Sequence, residues 1–301
     1  YPDTDLPDEA LGFRIQKYGI RKHWQMFTPR QLTAIVTLSD AVRAIRTDVT
    51  ADTMKAGVSD ADAENYARTV STFLALAVDR AADFNNSLCR WSSSNQKVMN
   101  LFGRQAIPMV WDFAEANTLG DSVGAWSTCS DYVADCVEVL GSGNRSQGEV
   151  IQFDVAKGYS VRNDLLVSTD PPYYDNIGYA VLSDFFYIWL RRTLGDLHKP
   201  LFDTVLVPKM PELTASPELF DGDKDKAKEH FESGFRQAFS KMRERLDSRF
   251  PLTVYYAFKQ SDEEDAEDDT ATKKGEVDLT TGWETLLEAL NSSGFTITAT
   301  W

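Results

Sequence analysis

Cysteine and histidine are scarce in this chain of 301 residues, with three of each. Cys89, Cys129 and Cys136 show no C-x-x-C spacing, and His23, His198 and His230 share no ligand spacing. This scarcity argues against a zinc ribbon within the sequence, and it predicts free thiols in a reducing, cytoplasmic setting. Cys129 and Cys136, seven positions apart on an expected helix, are expected to be buried together. The three histidines are expected at structural or surface positions. Apolar runs are short, and none approaches the roughly 20 residues of a membrane-spanning helix. No membrane association is therefore expected, and no charged-then-apolar leader is visible at the start. Basic residues are also outnumbered: 31 Lys and Arg stand against 46 Asp and Glu, for a net charge of −15. Such acidity suits an ordinary soluble protein or one adapted to a salt-rich cytoplasm. A nucleic-acid partner would then need a local basic face. The candidates for that face are Arg21, Lys22, His23, Arg90, Arg104, Arg191 and Arg192.

What is present is enough apolar material for a core: 43% of residues are hydrophobic. The length allows one large domain or two ordinary ones. Thr28-Pro29 is a helix start, a capping hydroxyl followed by proline at the first helical position. An apolar period near 3.6 follows through Leu32, Ile35, Val36, Leu38, Val42 and Ile45. A second helix is expected over about 60–84, with Tyr66, Val70, Phe73, Leu74, Leu76 and Ala77 along it. Shorter helices are expected over 95–102 and 125–140, so residues 1–145 form a mostly helical region. From 146 to 301 strands and helices alternate. Strands are expected at 150–154, at 164–169 as a buried one, at 251–258 and at 295–300. Helices are expected from a Ser183-Asp184 cap to Leu194, over 223–247 and over 283–290. That alternation implies an α/β fold with a parallel-type sheet. The acidic run 262–269 is expected to be a solvated loop.

One segment carries chemistry. Thr169-Asp170-Pro171-Pro172-Tyr173 directly follows the apolar run Leu165-Leu166-Val167, so it sits at the carboxyl end of an expected strand, where ligands bind in open α/β sheets. The two prolines fix φ and lack N–H donors, and Asp170, preceding one of them, is pushed to an extended backbone. The loop therefore presents one carboxylate, free carbonyls and a ring. A carboxylate and a carbonyl accepting the two hydrogens of a conjugated exocyclic amine would localise its lone pair. Orientation against an electrophilic methyl then supplies much of the rate. Tyr173 can stack on a base flipped out of its helix. Tyr174 and Tyr179 are candidates for the same pocket, while Phe185 to Trp189, at helical spacing, are mainly core. Asp175 can hydrogen-bond within the loop.

Thr-Asp-Pro-Pro-Tyr-Tyr-Asp, with Tyr179 and the run from Ser183 to Arg191, resembles the S-adenosylmethionine-dependent amino-methyltransferases of DNA. Phe27-Thr-Pro-Arg-Gln-Leu32 and the stretch Gln105 to Asn117 are similar to one subgroup, the large adenine-specific DNA methylases, sometimes with a zinc ribbon and often near defence genes. The resemblance implies a Rossmann-like methyltransferase sheet, here partial, with a large helical insertion. It implies that Asp170 and the Pro171 carbonyl, with Pro172 stiffening the loop, bind the target amine, and that Tyr173 stacks on the base. It implies S-adenosylmethionine as cofactor, with Asp154, Asp112 and Thr169 near it, and Glu115 as an alternative to Asp112. The other readings are a turn or cap for Asp154 and a packed helix start after Pro108 for the second stretch. DNA is the implied partner, with other defence-system proteins beside it.

The family's glycine-rich cofactor motif is not found. Gly141-Ser142-Gly143 follows a helical segment and reads as a connector. The chain begins at Tyr1 and ends at Trp301 inside a β-like run, so it is expected to be a piece of a longer protein with that motif upstream. The expected activity is methyl transfer to adenine N6. Cytosine N4, RNA, a protein amide, or a non-catalytic nucleic-acid-binding role in a defence complex are the alternatives.

Overall fold

The computed structural model describes residues 1–141, 146, 148–158, 163–174, 177–256 and 272–300, without the side chains of 272–281. The acidic run 262–269, Asp175 and the Ser142-Gly143 connector lie outside the described residues. The chain is α/β, with a large helical part and two small two-stranded sheets. It divides into two compact units.

The first unit comprises Tyr1–Glu149 and Ala180–Pro208. Its helix α1 spans Pro29–Lys55. Thr28 and Gln31 cap it reciprocally: the Thr28 Oγ1 accepts from the Gln31 N–H at 3.3 Å, and the Gln31 Oε1 accepts from the Thr28 N–H at 2.9 Å. Both would otherwise be orphan donors of the first turn. The helix ends in a Schellman turn. The Gly57 N–H reaches the Met54 carbonyl at 2.9 Å and the Val58 N–H reaches Thr53 at 3.4 Å. Gly57 has φ +89°, which glycine adopts at no steric cost.

Helix α2, Asp60–Phe84, starts at once from the Ser59 cap. Its buried stripe is Ala63, Ala67, Ser71, Ala75, Val78 and Ala82. Of the side chains named along this helix Ala77 is fully buried, whereas Tyr66 is 56% exposed and Leu76 44%. Small residues fill the stripe because they let helix backbones approach closely. Buried Asn85 and Asn86 stop the helix by donating to the Ala81 and Ala82 carbonyls at 2.8 and 2.9 Å.

Residues 95–102 do not form the expected helix. Strands β1 (Arg90–Ser92) and β2 (Lys97–Met99) pair antiparallel across a Ser-Ser-Asn-Gln turn, with Gln96 at φ +49°. Ser and Asn side chains favour such turns over helix interiors. Helix α3, Trp126–Gly141, buries Cys129 and leaves Cys136 exposed, so the two thiols do not share a buried face. Helix α4, Tyr179–Leu194, starts earlier than a Ser183-Asp184 cap would allow. Asp184 is buried inside it and accepts from the Val207 N–H at 2.9 Å. Phe185 and Trp189 are fully buried and pack on Phe27, and Phe102 packs on Phe185 at 5.2 Å. Ser39 of α1 and Thr193 of α4 share a buried hydrogen bond of 2.8 Å, which makes a serine tolerable in the α1 stripe. A short helix α5 covers Lys199–Phe202.

The second unit comprises Val150–Tyr179 and Lys209–Trp301. Helix α6, Lys224–Arg245, is capped by Asp223, whose carboxylate accepts from the Asp225 and Lys226 N–H groups at 3.1 Å. It buries Phe231, Phe235, Phe239 and Met242 against Leu286, Ala289 and Leu290 of α7, Thr272–Ser292. Val167, Tyr174, Val254, Tyr256 and Trp283 pack around this core.

The sheet of this unit is smaller than the sequence suggests. Strands β3 (Ser168–Thr169) and β4 (Thr253–Val254) pair in parallel, with Ser168 opposite Thr253. The expected strand at 164–169 is extended by a bridge from Leu165 to Leu246, but Leu166 is 68% exposed. The expected strands at 150–154 and 295–300 are absent from the described residues, and Val150 is almost fully exposed. Those runs have β-prone side chains but pair with no strand among the described residues.

Candidate functional site

The Asp-Pro-Pro-Tyr loop leaves β3 beside β4. The sheet ladder runs up to it: the Thr253 N–H donates to the Val167 carbonyl at 3.1 Å, and the Tyr255 N–H donates to the Thr169 carbonyl at 2.8 Å. Thr169 is thereby held by its backbone, half-buried, immediately before Asp170. The Asp170 side chain is exposed and has no hydrogen-bond or ion-pair partner among the described residues. Pro171 and Pro172 are half-buried behind it.

The residues after the prolines are anchored one by one. The Tyr173 ring meets the Tyr256 ring edge-on at 5.5 Å. The Tyr174 N–H donates to the Tyr256 hydroxyl at 3.2 Å, and the Tyr174 carbonyl accepts from the Ala215 N–H at 2.9 Å. The Tyr174 ring packs against Phe231 at 5.0 Å, so this side chain belongs to the core cluster rather than to an open pocket. The Tyr179 N–H, at the start of α4, donates to Glu212 at 2.9 Å.

The Tyr179 hydroxyl links back to the loop. Its pKa is raised, first by burial and then by the charges of Asp170 and Glu212, while a hydrogen bond with the Tyr173 backbone pulls the other way. Asp170, Tyr173 and Tyr179 are therefore close enough to sense one another. The structure brings these three together. Glu212, Tyr256 and Trp283, whose ring lies 6.2 Å from Tyr256, support them and were not singled out from the sequence. Their signal is weak: an acid and two aromatics, 33 or more positions downstream of Tyr179.

The expected cofactor residues are dispersed. Asp154 accepts from the Ala156 N–H at 3.1 Å and pairs with Lys157 at 3.2 Å, a turn-forming role with no strand before it. Asp112 belongs to the first unit, on an exposed, non-helical stretch. Its neighbour Glu115 forms a bidentate pair with Arg30 at 2.7 and 2.8 Å. The packed helix start after Pro108 is not formed either. Thr169 is the expected cofactor contact that lies beside Asp170.

Part of the expected basic face is neutralised, while Arg90 and Arg104 are exposed with no ion-pair partner among the described residues. Arg21 pairs with Asp8, Lys22 with Asp3 and Asp5, and Arg192 with Asp40. His23 is buried and bonded to Thr4 at 2.9 Å, and the Arg191 guanidinium donates to the Phe202 carbonyl at 3.3 Å. His198 bonds Thr72 and His230 bonds the Glu212 carbonyl. Among the described residues no cluster of three or more His, Cys, Asp or Glu is placed to hold a metal. No described helix is long and apolar enough to cross a membrane. Burial pushes the Cys89 thiol up to about 12 and Cys129 to about 11, so neither is a ready nucleophile. No protein-family model, curated protein or solved structure matches this chain.

Proposed function

We propose that the second unit carries the amine-holding half of a methyltransferase site, and that its acceptor is the exocyclic amine of a flipped DNA base, with adenine N6 first and cytosine N4 second. The observation that carries this reading is Asp170. Its carboxylate stands at a strand end with no hydrogen-bond or ion-pair partner among the described residues, on a loop whose Tyr173 and Tyr174 are held by ring contacts and hydrogen bonds. A carboxylate held that way is available to an external donor.

The proposed chemistry follows from that arrangement. The Asp170 carboxylate and the Pro171 carbonyl accept the two amine hydrogens, drawing the nitrogen lone pair out of conjugation with the ring. Tyr173, fixed by Tyr256, offers a ring face or edge to the base, and Tyr179 closes the same side. S-adenosylmethionine would supply the electrophilic methyl. Thr169 is the residue in position to meet it, and the β3–β4 pair would be the centre of a Rossmann-like sheet. Cytoplasmic location follows from the three cysteines without paired spacing, and a place among defence-system proteins from the resemblance of the loop and its flanking segments to DNA amino-methyltransferases.

The test is Asp170→Ala in the protein, with transfer of labelled methyl from S-adenosylmethionine to DNA as the readout. Removing a preorganised charge-stabilising group of this kind costs on the order of 100-fold or more in kcat. Transfer near the original rate would remove Asp170 from the chemistry. Nucleoside mass analysis of the product separates adenine from cytosine.

A further inference from the structure

We propose that the exposed Tyr18–Trp111 pair of the first unit, flanked by Arg14, Lys17 and Arg104, is a contact surface for single-stranded nucleic acid. The patch is built by two segments far apart in sequence. The Arg14 N–H donates to the Ile107 carbonyl and the Ile107 N–H to the Gly12 carbonyl, both at 3.2 Å. This bridge sets residues 12–18 against 104–111, with Phe13 and Ile107 buried beneath. Gly12, at φ +78°, lets the strands approach: a Cβ there would sit 3.2 Å from the Ala106 side chain. The short turn Ile15–Tyr18 then brings the Tyr18 ring to 4.9 Å from Trp111, edge to face at 80°.

Two features point to a ligand and to its class. The rings are held together by the backbone, yet Tyr18 is 51% and Trp111 78% exposed. An ordered, exposed tryptophan is a surface on which a base can stack. Arg14, Lys17 and Arg104 are all exposed and have no ion-pair partner among the described residues. Elsewhere in this unit Arg21, Lys22, Arg30, Arg46 and Arg192 are each matched to a carboxylate. In a chain of net charge −15, this is a place where unmatched positive charge and exposed rings coincide. The segments 12–18 and 104–112 contribute one carboxylate, Asp112, against the three cations. Cations interleaved with rings fit phosphates alternating with bases. A duplex keeps its bases stacked inside, so a strand with free bases is the matching form.

The proposal stands on this patch alone and does not require methyl transfer. Its test is fluorescence anisotropy of a labelled oligothymidylate of about 12 nucleotides, a length within the site sizes of such surfaces, titrated with the full chain. Binding that weakens with salt is expected. Trp111→Ala should weaken it roughly tenfold or more, and Trp111→Phe should restore most of it. Arg14→Glu with Arg104→Glu should lower the slope of log affinity against log salt by about 1.4, or about 0.7 per lost phosphate contact. Lys55→Glu, an exposed charge change elsewhere in the first unit, should bind as the parent does, which ties the effect to this patch. Absence of binding by the parent chain, or parental affinity in both the Trp111→Ala and the double Arg variants with unchanged circular dichroism, would overturn the proposal. So would binding of a base-free polyphosphate that matches the oligonucleotide and ignores Trp111.

Discussion

The buried stripe of α2 in the first unit is made of alanines, while that of α6 in the second is made of phenylalanines. Alanines let helices pack backbone to backbone, so the first unit is held by close helix contact and by a separate aromatic cluster at Phe27, Phe102, Phe185 and Trp189. Close packing leaves little room for polar groups: Ser39 finds Thr193 and Asn85 finds Ala81, whereas the Ser71 hydroxyl of the α2 stripe has no partner among the described residues. The phenylalanines of α6 instead radiate a core that loops can reach. Tyr174 and Tyr256 dock on it from outside the helix pair, and Trp283 of α7 packs beside them. The two-stranded sheet contributes less, since Leu166 and Tyr255 are 68% and 61% exposed. The loop that carries Asp170 is thus fixed by rings, with the sheet serving mainly to launch it.

The largest expected effect tests the first half of this contrast. Phe185→Ala removes a fully buried ring in contact with Phe27, Phe102 and Phe186. The cost should be about 3–5 kcal/mol. Hydrogen exchange should show lost protection across α1, α2 and α4. Equal loss in α6 would mean that the division into two cores is drawn wrongly.

Asp79 is where close packing leaves a debt. It lies buried in α2, and its Oδ1 has no hydrogen-bond partner. Burial, with the nearby Asp83 carboxylate adding to it, raises its pKa well above the usual 3.8. The folded chain therefore holds a proton that the unfolded chain releases. Ionisation opposes folding: the penalty is absent below pH 3.8 and builds as pH rises toward the folded value. Asp79→Asn should raise stability at pH 7 by about 1–3 kcal/mol, with the gain vanishing below pH 3.8. Denaturant titrations at pH 7 and pH 3 measure both. A gain that persists at low pH would trace to something other than charge.

Local signals along the chain were legible where one residue type does one job. Thr28-Pro29 marks α1, Asp223 marks α6, and the motif strand ends where Asp170 begins. Legibility failed where tertiary neighbours decide. The large residues of α2 do not mark its buried stripe, because alanine carries little hydrophobic weight yet fits the tightest contact. Ser183-Asp184 resembles a cap, but Glu212, 33 positions downstream of Tyr179, accepts from the first turn of the helix. The runs 150–154 and 295–300 have strand composition and no strand partner. At the site, the loop itself was readable, whereas Tyr256 and Glu212 reach it only through the fold.

Tyr256 joins the ring cluster to the loop, and its hydroxyl accepts from the Tyr174 N–H. Tyr256→Phe keeps the ring contacts with Tyr173 and Trp283 but leaves the Tyr174 N–H without its acceptor. A stability loss of about 1–2 kcal/mol is expected. Oligonucleotide binding at the Tyr18–Trp111 patch should be unchanged, since that patch belongs to the first unit. An activity loss larger than the stability loss explains would show that the loop position itself matters.

Gly282 sharpens the same point at the smallest expected cost. It lies in α7, buried, and an added Cβ would come 3.0 Å from the Tyr174 Cβ and 3.2 Å from its ring. Alanine in a helix interior normally gains up to about 1 kcal/mol over glycine. Here the neighbour has to yield a few tenths of an ångström. Tyr174 is poorly placed to do so, because its N–H is bonded to Tyr256, its carbonyl to Ala215, and its ring rests on Phe231. Overpacking in such a setting costs about 1–3 kcal/mol, so the net change for Gly282→Ala should be a loss of about 1 kcal/mol. The strain should pass along the backbone to Tyr173 and Asp170, lowering the methyl transfer proposed for this loop while leaving the first unit's stability at its parental value. A stabilised Gly282→Ala variant would mean that Tyr174 moves freely, and the loop would then be held by its prolines alone.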